Sequence, residues 1–353
     1  MDVAHLGIDD PRWPAALARI RHDFYHLPEY AALESNSHHA QPKAFLATDG
    51  NRELFIPYLL RPCDDTLATG QVYDVVSPYG YPGFLLSDAA RESSEFVREA
   101  VHGLTETLRA QGVCSAFLRM NPLLSDGFPA LFPEDFFSPA SDTVAVDLAL
   151  DESQMWEGTR HGHQWVITKC RKLGFVPRMV PFHEHIETFM AVYQETMDRV
   201  KARDSYYFGR DYFEKLAGMP ERVHCCLIES EGEAAAACLV FECGGIVQAH
   251  LGGTKTKFMK QSPFHLVLYH LALWAKSRGN HFFHLGGGVG GSGDRLLDFK
   301  RGFSERIFPF YTVRLITDDE KYRALTTLHA QSRNVAVEDL INSDYFPAYR
   351  TPS

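Results

Sequence analysis

SPFHLVLYHLALWAKSRGNHFFHLGG, residues 262–287, is the stretch on which the fold turns. Ser262 suits a helix cap and Pro263 a first helical turn. Phe264, Leu268, Leu271 and Ala275 share one helical face, and Gly279 ends the helix. HFFHLGG (281–287) follows as a strand running into a glycine-rich loop. Upstream lie three short β-like runs, VHCCLIE (223–229), AAAACLVFE (234–242) and IVQAHLG (246–252). The last two are joined by Gly244–Gly245, a two-residue hairpin signal. Before them, EHIETFMAVYQETMDR (184–199) has helical spacing in Ile186, Phe189, Met190, Tyr193 and Met197.

The first half makes a similar pass. LFIPYLL (54–60) reads as a buried strand, and SPYGYPGF (77–84) as a loop. Ser94 to Gln111 reads as a helix with Phe96, Val97, Ala100, Val101, Leu104 and Leu108 on one face and Gly112 as its stop. CSAFLRM (114–120) and TVAVDLAL (143–150) are the next strands. Antiparallel runs interleaved with helices indicate a mixed α/β (α+β) fold, not a parallel barrel. Two domains are expected, 1–150 and 151–353, the second with a C-terminal extension. No low-complexity linker separates them, so they are expected to abut, with a cleft at their junction. No short tandem repeat is visible.

Composition fits this. The 353 residues are 45% hydrophobic and 23% charged, a balance that excludes collagen-like, disordered and disulfide-stapled classes. No run approaches the roughly 18 uncharged apolar residues of a membrane span. MDVAHLGIDDPRW has no basic segment leading an apolar one, so no signal peptide and a cytoplasmic location are expected. None of the seven cysteines forms a CxxC pair, which suggests reduced core thiols. Residues 1–150 hold 10 Lys and Arg against 21 Asp and Glu, and residues 151–353 hold 25 against 24, giving the net charge of −10. A protein that coats nucleic acid would be basic overall. Locally, Arg160 to Arg203 carries eight basic and four acidic residues.

The segment HLGGGVGGSGDRLLDFKRGFSERIFPFY (284–311) is the most unusual chemically, with six glycines between Gly286 and Gly293. It lacks the Gly-Lys-Ser/Thr of a nucleotide P-loop and is not GxGxxG, so it reads as a loop over a pocket. DRLLDFKRGF reads as a short helix with Leu296, Leu297 and Phe303 toward the core and Lys300 on the same edge. A lysine beside apolar residues is a candidate electrostatic stabiliser. There is no GxSxG and no cysteine in a nucleophile context. HGH (161–163) and HEH (183–185) lack HExxH spacing and a third ligand, so no metal is expected.

With these segments in view, the chain resembles the FemABX family, aminoacyl-tRNA-dependent peptidyl transferases built from two fused acyltransferase domains of the GNAT type. The resemblance runs in order through HDFYHLPEYAAL (22–33), LFIPYLL, SPYGYPGF, LRMNPLL (118–124), a Trp156-led helix ending KCRKLGF (169–175), ETMDR (195–199), Tyr206–Tyr207, the 262–279 helix, HLGGG and DFKRGF. It is closest to Fem-like proteins outside peptidoglycan synthesis, and no heptad run marks the coiled-coil arm of some cell-wall members. It implies an aminoacyltransferase with aminoacyl-tRNA as donor, a primary amine of a small molecule or peptide as acceptor, and no further cofactor. The family's Phe-Lys pair matches Phe299 and Lys300, the lysine stabilising the oxyanion of the transfer. Its Thr-x-x-Arg matches Thr196 and Arg199, the guanidinium binding an acceptor phosphate or carboxylate.

Further acceptor contacts are expected from Tyr79, Tyr81 and Tyr207, with His284, Gly287 and the 286–293 loop closing over the reacting ends. Where cell-wall members place Asp before Pro, this chain has Asn121-Pro122, which leaves solvent, the substrate or Asp294 to take the proton. A tyrosine-rich strand of those members corresponds to IVQAHLG, which makes His250 a candidate substrate contact. An acyl-CoA N-acyltransferase is the rival reading, but its pyrophosphate turn is rich in glycine. The equivalent TKTKFMKQSPFH (254–265) has none and offers Lys255, Lys257 and Lys260 instead, which suit a tRNA polyanion. The oligomeric state is left open.

Overall fold

The computed structural model describes residues 1–63, 67, 70–288 and 294–352. It resolves into two compact units, one formed by Met1–Ala140 with Phe310–Ser353 and the other by Ser141–Pro309.

Unit 1 is built on β1 (Asp2–Gly7), β2 (Gln41–Asp49), β3 (Arg52–Pro62), β4 (Tyr73–Val76), β5 (Leu85–Leu86) and β6 (Val113–Arg119). β1 to β4 form an antiparallel meander, with β5 against β3. LFIPYLL lies within β3 and is buried throughout, as a strand covered on both faces requires. β4 and β6 are parallel, so the chain must cross between them. The helix Ser94–Ala110 makes that crossing. The Ser93 side chain caps it by accepting from Phe96 N, and all six residues expected on its apolar face are buried.

The chain then enters β7 (Ser138–Asp147), and unit 2 follows with β8 (Val176–Val180), β9 (Val223–Ser230), β10 (Glu233–Cys243), β11 (Ile246–Thr254) and β12 (Phe282–Gly287), before β13 (Ile307–Ile316). β8 to β11 are again an antiparallel meander, Gly244 and Gly245 turning the last hairpin at φ 59° and 78°. β11 and β12 are parallel, and the helix Phe264–Ser277 crosses between them. Its Leu268, Leu271 and Ala275 are buried, while the cap differs from expectation. Ser262 sits at φ 56°, Pro263 is the capping residue and no side chain caps the helix.

Each unit takes its closing strand from the other half of the chain. Thr143–Asp147 of β7 pair antiparallel with β12 of unit 2, and Thr312–Ile316 of β13 pair antiparallel with β6 of unit 1. The residues after β13 also pack on unit 1. Arg350 Nε donates to the buried carboxylate of Asp74 at 2.5 Å, and the Tyr349 and Ser115 hydroxyls lie 2.7 Å apart. The final segment is thus part of the first unit, not an extension of the second. The Trp156-led helix also divides, into Glu152–Glu157 and His161–Lys172, with Gly158 and Thr159 between them.

Candidate active site

Unit 2 holds a notch between its parallel strands. β11 and β12 pair only where Ile246–Gln248 face Phe282–His284. Beyond that, β11 stays on β10 as far as Thr254, and Gly286 and Gly287 of β12 stay on β7. Gln248 and His284 are the last facing pair, both buried, with Nδ1 2.5 Å from Oε1. The register of β11 against β10 skips His250, a bulge of the kind that re-aims backbone groups next to a site. The His250 ring stacks on Phe241 with centroids 4.0 Å apart, and its Nε2 lies 3.1 Å from the Tyr212 hydroxyl. Burial lowers its pKa to about 3, so His250 brings a neutral ring to this wall. Two glycines permit close packing here: a Cβ at Gly252 would meet the Phe264 ring at 2.8 Å, and one at Gly253 would press on Thr196 Oγ1.

Lys300 reaches the end of β12. Its helix, Arg295–Arg301, is capped by Asp294, whose Oδ1 accepts from Leu296 N and Leu297 N at 3.0 Å each. Lys300 Nζ donates to the Gly287 carbonyl at 2.5 Å. Burial lowers its pKa to about 8, against the pull of Asp294. The ammonium is therefore weakly solvated yet charged at neutral pH. Phe299 points elsewhere. Its ring packs among His163, His265 and Phe303, with centroids 5.4, 4.8 and 5.4 Å away, and His163 Nε2 lies 3.0 Å from its carbonyl. Phe299 therefore anchors the helix. Of the three apolar residues expected to face the core, Leu297 and Phe303 do so, while Leu296 is 40% exposed. Beside this helix, Arg160 makes a two-point pair with Asp298 at 3.1 and 3.0 Å. An open cleft of about 620 Å³ lies there, its lining including Arg160, His161 and Arg301 with Glu157 and Glu305.

Arg199 stands at the end of the helix Ile186–Val200. Its Nη1 donates to Thr256 Oγ1 at 3.1 Å and Nη2 to Thr196 Oγ1 at 3.3 Å. Thr196 is a bolt: its hydroxyl donates to the carbonyls of Val192 and Thr254 and accepts from Thr254 N at 3.0 Å, which ties the helix to β11 at Gly253. Tyr207 donates its hydroxyl to Asp198, the neighbour of Arg199. Lys255 and Lys257 share the carboxylate of Glu233 at 3.5 and 2.6 Å, and Lys260 is exposed.

Tyr79 and Tyr81 belong to unit 1. There the Tyr79 carbonyl accepts from Tyr30, and Tyr81 packs edge-on against Phe310 at 5.1 Å. Val289 to Gly293, most of the expected closing loop, lie outside the described residues. Among the described residues no group of three His, Cys, Asp or Glu side chains is arranged to hold a metal.

Sequence reasoning missed a buried network in unit 1. Asp23 accepts from Asn121 Nδ2 at 2.7 Å and from Tyr25 N at 3.0 Å, with His26 Nδ1 2.7 Å away. Asn121 also donates to the Tyr81 carbonyl at 3.0 Å, and its Oδ1 accepts from Leu123 N and Leu124 N. The spacing of Asp23 and His26 in HDFYH was the available signal, a capping box around a single turn.

A protein-family model described as an acetyltransferase (GNAT) domain matches residues 167–301. No curated protein matches the chain. Among solved structures, FemX is similar over 92% of this chain and 99% of its own, with TM-score 0.69 and 11% identity. L-PGS from Bacillus licheniformis is similar over 87% and 92%, with TM-score 0.56 and 15% identity. The C-terminal domain of a putative lysylphosphatidylglycerol synthetase from Agrobacterium fabrum is similar over 88% and 92%, with TM-score 0.54 and 14% identity. The chain therefore carries an acyltransferase domain of the GNAT superfamily. Its fold is Fem-like over almost its whole length and divides into two compact units. No helix of the described residues is long and apolar enough to cross a membrane.

Proposed function

We propose that the protein is a Fem-type aminoacyltransferase, moving an aminoacyl group from aminoacyl-tRNA to a primary amine of a small molecule or peptide. The acceptor nitrogen attacks the ester carbonyl carbon, a C–N bond forms, and the C–O bond to the terminal ribose breaks. The amine proton passes to solvent or to the departing ribose oxygen. The carbonyl oxygen carries negative charge in the transition state, and Lys300 supplies a preorganised, poorly hydrated cation to meet it. Arg199, flanked by Tyr207, is suited to an anionic group of the acceptor. Asp294 is less suited to the role of base, because its Oδ1 already holds two backbone N–H groups.

The observation that carries the choice of donor is the turn leading into the Phe264–Ser277 helix. A CoA pyrophosphate is held by free backbone N–H groups at such a turn. Here Phe258 N donates to Lys255 O, Met259 N to Thr256 O, and Gln261 N and Ser262 N to Phe258 O. Pro263 has no N–H, and His265 N, Leu266 N and Val267 N donate to Ser262 or Pro263 carbonyls. Most N–H groups of this turn are thus spent on its own carbonyls, and Thr256 N on Glu195, which disfavours the acyl-CoA reading that the GNAT match would otherwise recommend.

The test is a transfer assay with labelled, charged bulk tRNA and a panel of amine acceptors, with and without ribonuclease pretreatment. Labelled amide that ribonuclease abolishes is the expected result. Product from acyl-CoA donors alone would replace this reading with conventional N-acylation.

A further inference from the structure

The helix His161–Lys172 turns an unusual face outward. His163, Ile167 and Cys170 are buried on its inner side. His161, Trp165, Lys169 and Lys172 recur at spacings of four, four and three on the other, which is one continuous stripe. Trp165 is 65% exposed, the highest value among the large hydrophobic residues described. Lys169 Nζ lies 5.2 Å from its ring centroid. Among the described residues neither Lys169 nor Lys172 has a carboxylate partner, unlike Lys255 and Lys257, which are occupied by Glu233. No Asp or Glu occurs from Gly158 through His183, in a chain whose net charge is −10.

The stripe begins beside the helix that carries Lys300. The helix start is fixed to the Lys300 helix by Arg160 N donating to Gly302 O at 2.8 Å, by the Arg160–Asp298 pair, and by His163 against Phe299. It runs about 16 Å from there, at roughly 1.5 Å per residue.

We propose that this stripe is the docking track for the single-stranded 3′ end of the RNA donor, a proposal that rests on the aminoacyl-tRNA reading above. An exposed indole provides a stacking face for an unpaired base, and lysines without a carboxylate partner along the same line meet the phosphates. The track leads toward the helix of Lys300, the residue at which the ester of the terminal ribose must arrive for transfer. The three lysines of residues 254–265 are secondary to it, since two already hold a carboxylate. A membrane surface would meet the same cations, but it would not require the ring to lie in register with the track to Lys300.

The experiment uses the full chain with bulk deacylated tRNA, the same tRNA trimmed of its single-stranded 3′ end, and phosphatidylglycerol vesicles. Trp165→Ala weakens binding of intact tRNA by roughly 5- to 150-fold, the loss expected for one stacked base, and has little effect on the trimmed tRNA. The double substitution Lys169→Ala with Lys172→Ala lowers the salt dependence of binding by roughly 0.7 in log–log slope for each phosphate left without its lysine. Both variants melt like the wild type, because Trp165 and Lys172 are exposed and the half-buried Lys169 has no carboxylate partner among the described residues. If the wild type binds intact tRNA and both variants bind it equally well, the track is wrong while the donor reading stands. If the wild type neither binds tRNA nor transfers from it, the donor reading fails and takes the track with it. If the variants lose vesicle binding and keep tRNA binding, the stripe is a membrane face and the proposal is overturned.

Discussion

The two units follow one plan and end it differently. In each, four antiparallel strands lead to a helical crossing and a parallel strand, β6 in unit 1 and β12 in unit 2. After β6 the chain reaches Asn121, fully buried, with both amide protons donated and two backbone N–H groups on its oxygen. After β12 it reaches glycines and a lysine drawn to a strand-end carbonyl, its pKa lowered to about 8. One strand end is saturated and serves stability. The other keeps a cation short of solvation, which suits it to a charge that appears only in a transition state. The same architecture thus houses a structural knot and a candidate catalytic centre, and the difference lies in which polar groups are satisfied before substrate arrives.

Substitutions at the two ends test that contrast. The largest effect is expected for Lys300→Ala, with kcat down by roughly 10²–10³ and KM and melting temperature little changed, by analogy with loss of one oxyanion donor. Unchanged kcat would remove Lys300 from the chemistry. Asn121→Ala should do the reverse. It strands the Asp23 carboxylate and two backbone donors, so stability falls by about 2–3 kcal/mol in denaturant titration, while the protein that remains folded keeps its kcat. A loss of kcat with stability intact would erase the distinction between the ends.

The smallest effect is a matter of pH. Protonated Lys300 is the active form, so kcat should decline about tenfold per unit as pH rises through about 8. Stability should move the opposite way over the same window. The folded chain releases this proton at about 8, while the unfolded chain keeps it until near the ordinary lysine value. Above pH 8 the folded form is therefore favoured as the activity is lost. A rate that climbs through pH 8 would make Lys300 a base instead.

Much of this was legible in the sequence because it is local. Short apolar runs and the 94–110 apolar face marked most of the named strands and helices within a residue or two, whereas TVAVDLAL (143–150) overlaps a strand that spans Ser138–Asp147. Lys300 was singled out within one contiguous segment, as a lysine on a short helix after a glycine-rich loop, and its contact with the Gly287 carbonyl came from the fold. What was hidden depends on distant partners or on competing local terms. Ser262 looked like a cap, but it adopts a left-handed turn and Pro263 starts the helix. Leu296 looked like core, yet the helix turns it outward and packs the half-buried Phe299 against histidines from two other helices. Asn121 read as a missing carboxylate, and only the fold shows Asp23 seated against it.

The exchange of β7 and β13 also bears on how the chain is made. During synthesis β6 emerges long before the strand that covers its edge, and β7 emerges before the β12 it pairs with. A nascent chain of the first half therefore carries an unpaired sheet edge until translation is nearly finished, the kind of long-range closure that folds slowly and invites wrong partners. Cutting the gene at its apparent midpoint would leave each fragment without its closing strand. Permuting it to join each strand to its own sheet would shorten that wait.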